Sequence, residues 1–238
     1  MPFKPDSVAE RFIFKSDSAF SNLPEYIKEV FLGQMIVKQF KKRQNIFTEG
    51  TYPAGIYFIK KGKVKKYKSL NGGKEQIIYI CSQGELLGYA AFLSEERYPD
   101  SATSLTDATI GFISRDKLLA LLDQYNELSN MLMKNLSHEF GVLVNFIAAF
   151  TQKTVRERVA LTLLILQEKF KDNTNENNEI QIVLTRADFS NIVGTAVATL
   201  VRLLHDFKQE NLIVTQGRKI IIKNNQQLLE IADVADIF

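Results

Sequence analysis

Cysteine is nearly absent from this sequence: Cys81 stands alone in 238 residues. One thiol cannot build an internal disulfide framework, nor can it supply a multi-cysteine metal or iron-sulfur site within one chain. Histidine is almost as scarce. His138 and His205 fall on separate predicted helices, with no cysteines or carboxylates at metal-ligand spacing and no nucleophile arrangement around either. No metal site and no catalytic residue is therefore expected. Long apolar runs are missing as well, so no segment has the length to span a bilayer. Residues 1–20 are broken by charges and lack a signal-peptide core. The expectation is a cytoplasmic protein that does not engage a membrane. Strong charge of one sign is also lacking, and a net charge of +3 is too small to imply a nucleic-acid partner by itself. A hydrophobic content of 45% is ordinary for a packed protein with room for one large or two modest domains.

What is present is a run of ordered patterns. Residues 35–114 carry short β signals broken by turns: Ile56, Tyr57, Phe58 and Ile59; then 64–68; then 76–81; then 108–113. Glycine-bearing turns at Gly62, Gly72, Gly73 and Gly84 separate them, which argues for an all-β roll, barrel or sandwich. Within it, Lys60, Lys61, Lys63, Lys65, Lys66 and Lys68 could form a nucleic-acid patch. In strands they alternate around Val64 and Tyr67, and a solvated hairpin face is the expectation. Leu70, Asn71, Gly72, Gly73 and Lys74 imitate a phosphate loop but lack the Gly-Lys-Ser/Thr ending and the following helix, so they read as a hairpin turn.

After Ser114 the period changes to that of a helix. A short segment over 116–122 precedes a long one over 126–150, with Leu128, Met131, Leu132, Leu136, Val142, Leu143, Phe146, Ile147 and Phe150 spaced by threes and fours. One face of a helix packed on its own domain cannot use all of these, and a twin helix is the simplest second partner. The dimer residues expected here are Leu132, Leu136, Leu143, Phe146 and Phe150. Residues 151–154 break the pattern, 155–170 form another helix, and the polar stretch 171–179 is a surface loop.

The last quarter carries the most specific signal. Thr185 can cap a short helix, with Asp188 three residues on as in a capping box, and Phe189, Ile192 and Val193 give that helix an apolar stripe. Gly194 supplies a tight turn. A second helix repeats Leu200, Leu203, Leu204 and Phe207 as a buried face, leaving Val197, Ala198, Val201, Arg202 and His205 on the other side. Residues 212–215 and 219–222 then read as two strands around Gln216, Gly217 and Arg218. A helix-turn-helix followed by a hairpin is a winged helix, whose second helix enters a major groove while the wing tracks the backbone. Over 185–223, Arg186, Arg202, Lys208, Arg218, Lys219 and Lys223 outnumber Asp188, Asp206 and Glu210, so this reader is mildly basic.

This order of parts, with the segment Val155, Arg156, Glu157, Arg158, Val159, Ala160 and Leu161 between long helix and reader, resembles the cyclic-AMP receptor protein and fumarate-nitrate regulator superfamily of bacterial transcription factors. The resemblance covers about residues 23–222. It implies an α+β fold with an N-terminal cupin-like β-roll sensor in residues 1–125, a dimerisation helix in 126–152 and a C-terminal winged helix-turn-helix in 153–238. It implies double-stranded DNA, a second copy of the chain, RNA polymerase and an unknown small-molecule effector as partners, with no cofactor identified.

Departures from the family pattern concern both functional ends. Gly88 corresponds to the second glycine of the cyclic-AMP motif, but Tyr89 stands where the ribose-binding glutamate is expected. Asp100, followed by Ser101, stands at the phosphate-binding arginine, and an anion there repels a phosphate. Arg97 lies just upstream and could reach in, or could sit in a surface turn. Gly88, Tyr89, Arg97, Asp100 and Ser101 are thus the effector-pocket candidates, and cyclic AMP is not the expected ligand. Cys81 alone cannot provide the other branch's four-cysteine oxygen-sensing cluster. In the reader, Ala198 and Val197 replace the family's glutamate and arginine, whereas Arg202 keeps its arginine and can pair with guanine. Thr185, Arg186, Thr195, Thr199, His205, Arg218 and Lys219 are expected to meet the DNA backbone, with Val197 and Ala198 touching thymine methyls. The other reading is a DNA-independent sensor or interaction protein on the same fold.

Overall fold

The computed structural model describes residues 11–14 and 20–233. The outer ends of the expected first and last domains, and most of the stretch read as lacking a signal core, lie outside the described residues. The chain forms two compact units, Phe14–Phe140 and Gly141–Phe238 with the first thirteen residues.

The first unit is built on two antiparallel sheets. Strands β1 (Ile36–Phe40), β3 (Gly55–Lys61), β6 (Leu86–Leu87) and β8 (Ala108–Ser114) take the order β1-β8-β3-β6. Strands β2 (Asn45–Phe47), β4 (Val64–Ser69), β5 (Glu75–Cys81) and β7 (Ser101–Ser104) take the order β2-β7-β4-β5. On β8 the side chains of Ala108 and Ile110 turn inward, and on β5 those of Ile77, Tyr79 and Cys81 do, the two-residue period that pleating gives. Helices α1 (Glu25–Gly33), α2 (Tyr89–Leu93), α3 (Arg115–Gln124) and α4 (Asn126–Gln152) accompany them. Ile27, Phe31, Ile56, Leu86, Phe92, Ile113, Leu118 and Leu121 form a core that also takes in Leu128, Met131 and Leu132 from α4.

Two readings of this unit are corrected by the structure. The lysine run is not one solvated face. Lys60 and Lys61 are exposed, but Lys63 is buried and Lys66 points inward to pair with Asp100 at 3.2 Å. The physical reason is that successive β4 side chains turn to opposite faces of the sheet, so Lys66 lies at the roll's cavity, where the Asp100 carboxylate meets its ammonium. The second correction is Leu132, which is 1% exposed in the roll's core and cannot belong to a seam with another chain. At 100° per residue, Leu128, Met131, Leu132, Asn135 and Glu139 share the buried side of α4. On the other side Met133, Leu136, Phe140, Ile147 and Phe150 are exposed.

In the second unit, α5 (Val155–Lys169) opens with a full capping box: Thr154 accepts from the Glu157 N–H, and the Glu157 carboxylate accepts from the Thr154 N–H. Most of α5 is buried, and α8 (Asn225–Ala232) packs against it. Strands β9 (Ile182–Val183), β10 (Ile213–Gln216) and β11 (Lys219–Ile222) form a small sheet in the order β10-β11-β9. Between them run α6 (Arg186–Val193) and α7 (Val197–Gln209), whose directions differ by 97° across the turn at Gly194. That angle is the one a helix-turn-helix adopts. Gly194 sits at φ +69°, where a side chain would be strained. Among the described residues, no single helix is long and apolar enough to cross a membrane.

Candidate nucleic-acid interface and roll cavity

The reader begins with the cap on α6. The Thr185 hydroxyl accepts from the Asp188 N–H at 3.0 Å and donates to the Asp188 carboxylate at 2.6 Å. The expected box is therefore half formed, because the carboxylate takes the hydroxyl proton rather than the Thr185 N–H. Phe189 and Val193 bury the inner side of α6.

Helix α7 separates its residues cleanly. Leu200, Leu203, Leu204 and Phe207 are buried, while Val197, Ala198, Val201, Arg202 and His205 form one exposed face. Two valines on that face, Val197 and Val201, are 44% and 48% exposed, which is the arrangement of a surface that meets something else. Arg218 and Lys219 are exposed where β10 turns into β11. Thr195 and Thr199 are half-buried near the start of α7. Thr185 and Arg186 differ from the others expected to meet a backbone. The Thr185 hydroxyl is spent on its cap, and the Arg186 guanidinium donates to the Gly217 carbonyl at 3.0 Å.

Two arginines that the residue pattern did not single out hold this reader in place. Arg158 on α5 donates to the Val193 carbonyl at 3.1 Å and to the Lys153 carbonyl at 2.9 Å, so a cation closes the C-terminal end of α6. Arg156 donates through Nη2 to both Glu210 carboxylate oxygens, at 2.6 and 2.8 Å, and lies 4.7 Å over the Phe207 ring, steadying the far end of α7. Their only sequence signal is position: two arginines on the first turn of a helix that otherwise faces the core.

The roll contains a cavity of about 30 Å³ lined by Phe14, Lys66, Leu86, Gly88, Tyr89 and Asp100, with Cys81, Tyr98 and Glu139 among its other walls. That is room for one or two waters, whereas a nucleotide needs a pocket roughly ten times larger. Phe14 helps to close it. Its ring stacks on Tyr79 with centroids 3.7 Å apart, and its N–H donates to the Tyr79 hydroxyl at 2.6 Å. Burial pulls the Lys66 pKa down, but Asp100, Cys81 and Glu139 outweigh it, and the ammonium is held above the usual lysine range. The Tyr89 hydroxyl is buried without a partner in hydrogen-bonding geometry, and burial, reinforced by the Glu139 charge, pushes its pKa far above the usual phenol range.

Of the five pocket candidates, the cavity brings together Gly88, Tyr89 and Asp100. The other two lie elsewhere. Arg97 is exposed, stacks 4.3 Å over Tyr52 and donates to the Gly50 carbonyl at 2.7 Å, so it occupies the surface turn rather than the cavity. Ser101 is buried but turns away to accept from the Glu49 N–H at 2.9 Å. Lys66 and Glu139 were missed because nothing local marks them; both are ordinary charged residues until the roll closes around them.

Comparison with known proteins agrees with this geometry. A model of the cyclic nucleotide-binding domain matches residues 37–125, and one of the Crp-like helix-turn-helix domain matches residues 157–231. The fumarate and nitrate reduction regulatory protein of Yersinia pestis is 29% identical over 195 residues, covering 82% of this chain and 78% of its own length. The transcriptional activator protein anr of Pseudomonas aeruginosa is 26% identical over 195 residues, covering 82% of this chain and 80% of its own. The solved structure of FixK2 from Bradyrhizobium japonicum superposes with a TM-score of 0.73 at 22% identity, covering 84% of this chain and 98% of that one, and shows the same fold.

The cavity pair yields a stability test. Lys66→Met leaves the Asp100 carboxylate buried and unpaired, and should lower unfolding stability by about 3 kcal/mol, the low end for a broken buried pair because the Lys66 side chain is 21% exposed. Lys66→Met with Asp100→Leu should recover most of that loss in urea unfolding. Equal stability of single variant and parent would show that the pair contributes nothing.

Proposed function

Because the chain belongs to the cyclic-AMP receptor protein and fumarate-nitrate regulator superfamily, joining a cyclic nucleotide-binding domain to a Crp-like helix-turn-helix, we propose that it is a homodimeric transcription regulator reading a roughly two-fold symmetric DNA site without cyclic AMP. The observation that carries this reading is the exposed face of α7 opposite a completely buried stripe. A helix with that division, followed by a basic hairpin tip, can enter a major groove while the hairpin follows the phosphates. In this reading residues 1–125 are the sensor domain, 126–152 the dimerisation helix and 153–238 the DNA-binding domain. The setting is cytoplasmic, and RNA polymerase and a still unidentified effector are its further partners.

The dimer rests on α4. Met133, Leu136, Phe140, Leu143, Ile147 and Phe150 are spaced 3, 4, 3, 4 and 3, the repeat of a coiled-coil seam about 26 Å long. Phe140 is 70% exposed and Ile147 64%. Leu136, Leu143 and Phe150, three of the expected dimer residues, fall on this repeat. Phe146 is off the repeat: it is half-buried with its ring edge-on to Phe12 at 5.2 Å, so it contributes at most from the margin. Phe140→Glu or Ile147→Glu should convert a dimer to monomers in sedimentation and abolish specific DNA binding. A parent that sediments as a monomer at every concentration would overturn the dimer.

The cavity argues against a cyclic nucleotide twice over, by its volume of about 30 Å³ and by the Asp100 carboxylate in its wall. Calorimetric titration with cyclic AMP should show no saturable binding below about the millimolar range. Micromolar binding would refute this part of the reading.

Sequence reading by α7 centres on Arg202, an exposed cation beside the apolar Val197, Ala198 and Val201 on the reader face. Arg202→Ala should cost about 1–3 kcal/mol per half-site and relax preference at one symmetric base pair in a randomised-site selection. Loss of affinity with unchanged base preferences would make Arg202 a phosphate contact instead.

A further inference from the structure

We propose that Arg186 is a positioning residue for the wing, holding the turn between β10 and β11 so that Arg218 and Lys219 reach the DNA backbone, and that it does not itself contact a phosphate. This rests on the DNA-binding reading and adds a division of labour within it. Arg186 is the first residue of α6, and its Nη2 donates to the Gly217 carbonyl at 3.0 Å. Its Nη1 is buried and has no hydrogen-bond partner, so it is not free to join Nη2 in a bidentate phosphate clamp. Partial burial also lowers its pKa.

The turn it holds is a two-residue loop, Gly217 and Arg218, between the paired Gln216 and Lys219. Gly217 has φ +57°, the left-handed conformation that the first position of so tight a turn requires. The rest of β11 is already tied to the segment before α6, because Lys219 pairs with Val183 and Ile220 with Ile182. Lys223, one residue past β11, forms an ion pair with Glu179. Strand pairing thus fixes the base of the wing, and the tip beyond Lys219 depends on Arg186. A charged donor on a carbonyl is among the stronger hydrogen bonds available for that purpose.

The test uses Arg186→Met, which keeps the apolar stem and removes the guanidinium, in the full-length protein. Hydrogen exchange of the free protein should be about tenfold faster at the amides of Gln216, Gly217, Arg218 and Lys219, with the rest of the domain unchanged. Binding to bulk duplex DNA over a salt series should weaken in the otherwise wild-type background. In an Arg218→Ala, Lys219→Ala background the same substitution should change neither affinity nor salt slope, because the contacts it positions are already gone. A further drop of about one unit of slope in that background would identify a lost phosphate contact, and unchanged wing exchange would remove the tether; either overturns the assignment. If the parent shows no salt-dependent duplex binding, the DNA-binding reading itself falls and the role assigned to Arg186 goes with it, a result separate from unchanged wing exchange in a protein that binds DNA.

Discussion

One helix constrains everything else: α4, 27 residues long, has more apolar surface than the described residues cover. Leu128, Met131 and Leu132 are consumed by the roll's core, where their removal from water contributes to folding. Met133, Phe140 and Ile147 on another side stay bare. Large side chains in water along a heptad repeat are costly to solubility and are retained where something covers them. A functional regulator on this fold therefore depends on which side of α4 each residue occupies, and a displacement of one position along the helix moves a residue by 100°.

Electrostatics impose a second constraint, inside the roll. Taking Lys66 and Asp100 out of water is expensive, and the 3.2 Å pair is what makes their burial tolerable. With an ammonium and a carboxylate already matched, and with Glu139 and Tyr89 sharing the same small cavity, the site has no cation left over to attract a phosphate. This pairing, together with the size of the cavity, is what the proposed insensitivity to cyclic AMP rests on.

The reader shows how few atoms are committed to recognition and how many to support. Thr185 caps α6, Arg158 closes its far end, Arg156 and Glu210 steady α7, and Arg186 reaches the wing. Of the cations in this domain, Arg202, Arg218 and Lys219 remain exposed on the reader face or the wing. Rigid support of this kind lets a short exposed face act without losing much entropy when it is ordered against a partner.

Periodicity and turn chemistry made most of the architecture readable from residues alone. The helix-turn-helix was legible because α7 has strict i, i+3, i+4, i+7 spacing and Gly194 interrupts it at the turn, and both are local properties of the chain. The strands at 56–59, 64–68, 76–81 and 108–113 were legible from turn-bounded β residues. By contrast β7 reads Ser101, Ala102, Thr103 and Ser104, small and polar, and becomes a strand because it is buried between β2 and β4. β9 is two residues long and exists only through its pairing with β11. The same limit governed the sites. The exposed face of α7 followed from the sequence, since a helix with one apolar stripe must present the other side. Whether Leu132 faced its own core, Lys66 faced Asp100, Arg97 stayed on the surface or Arg186 turned to Gly217 was decided by tertiary structure, because each depends on a partner distant in sequence that folding brings within a few ångströms.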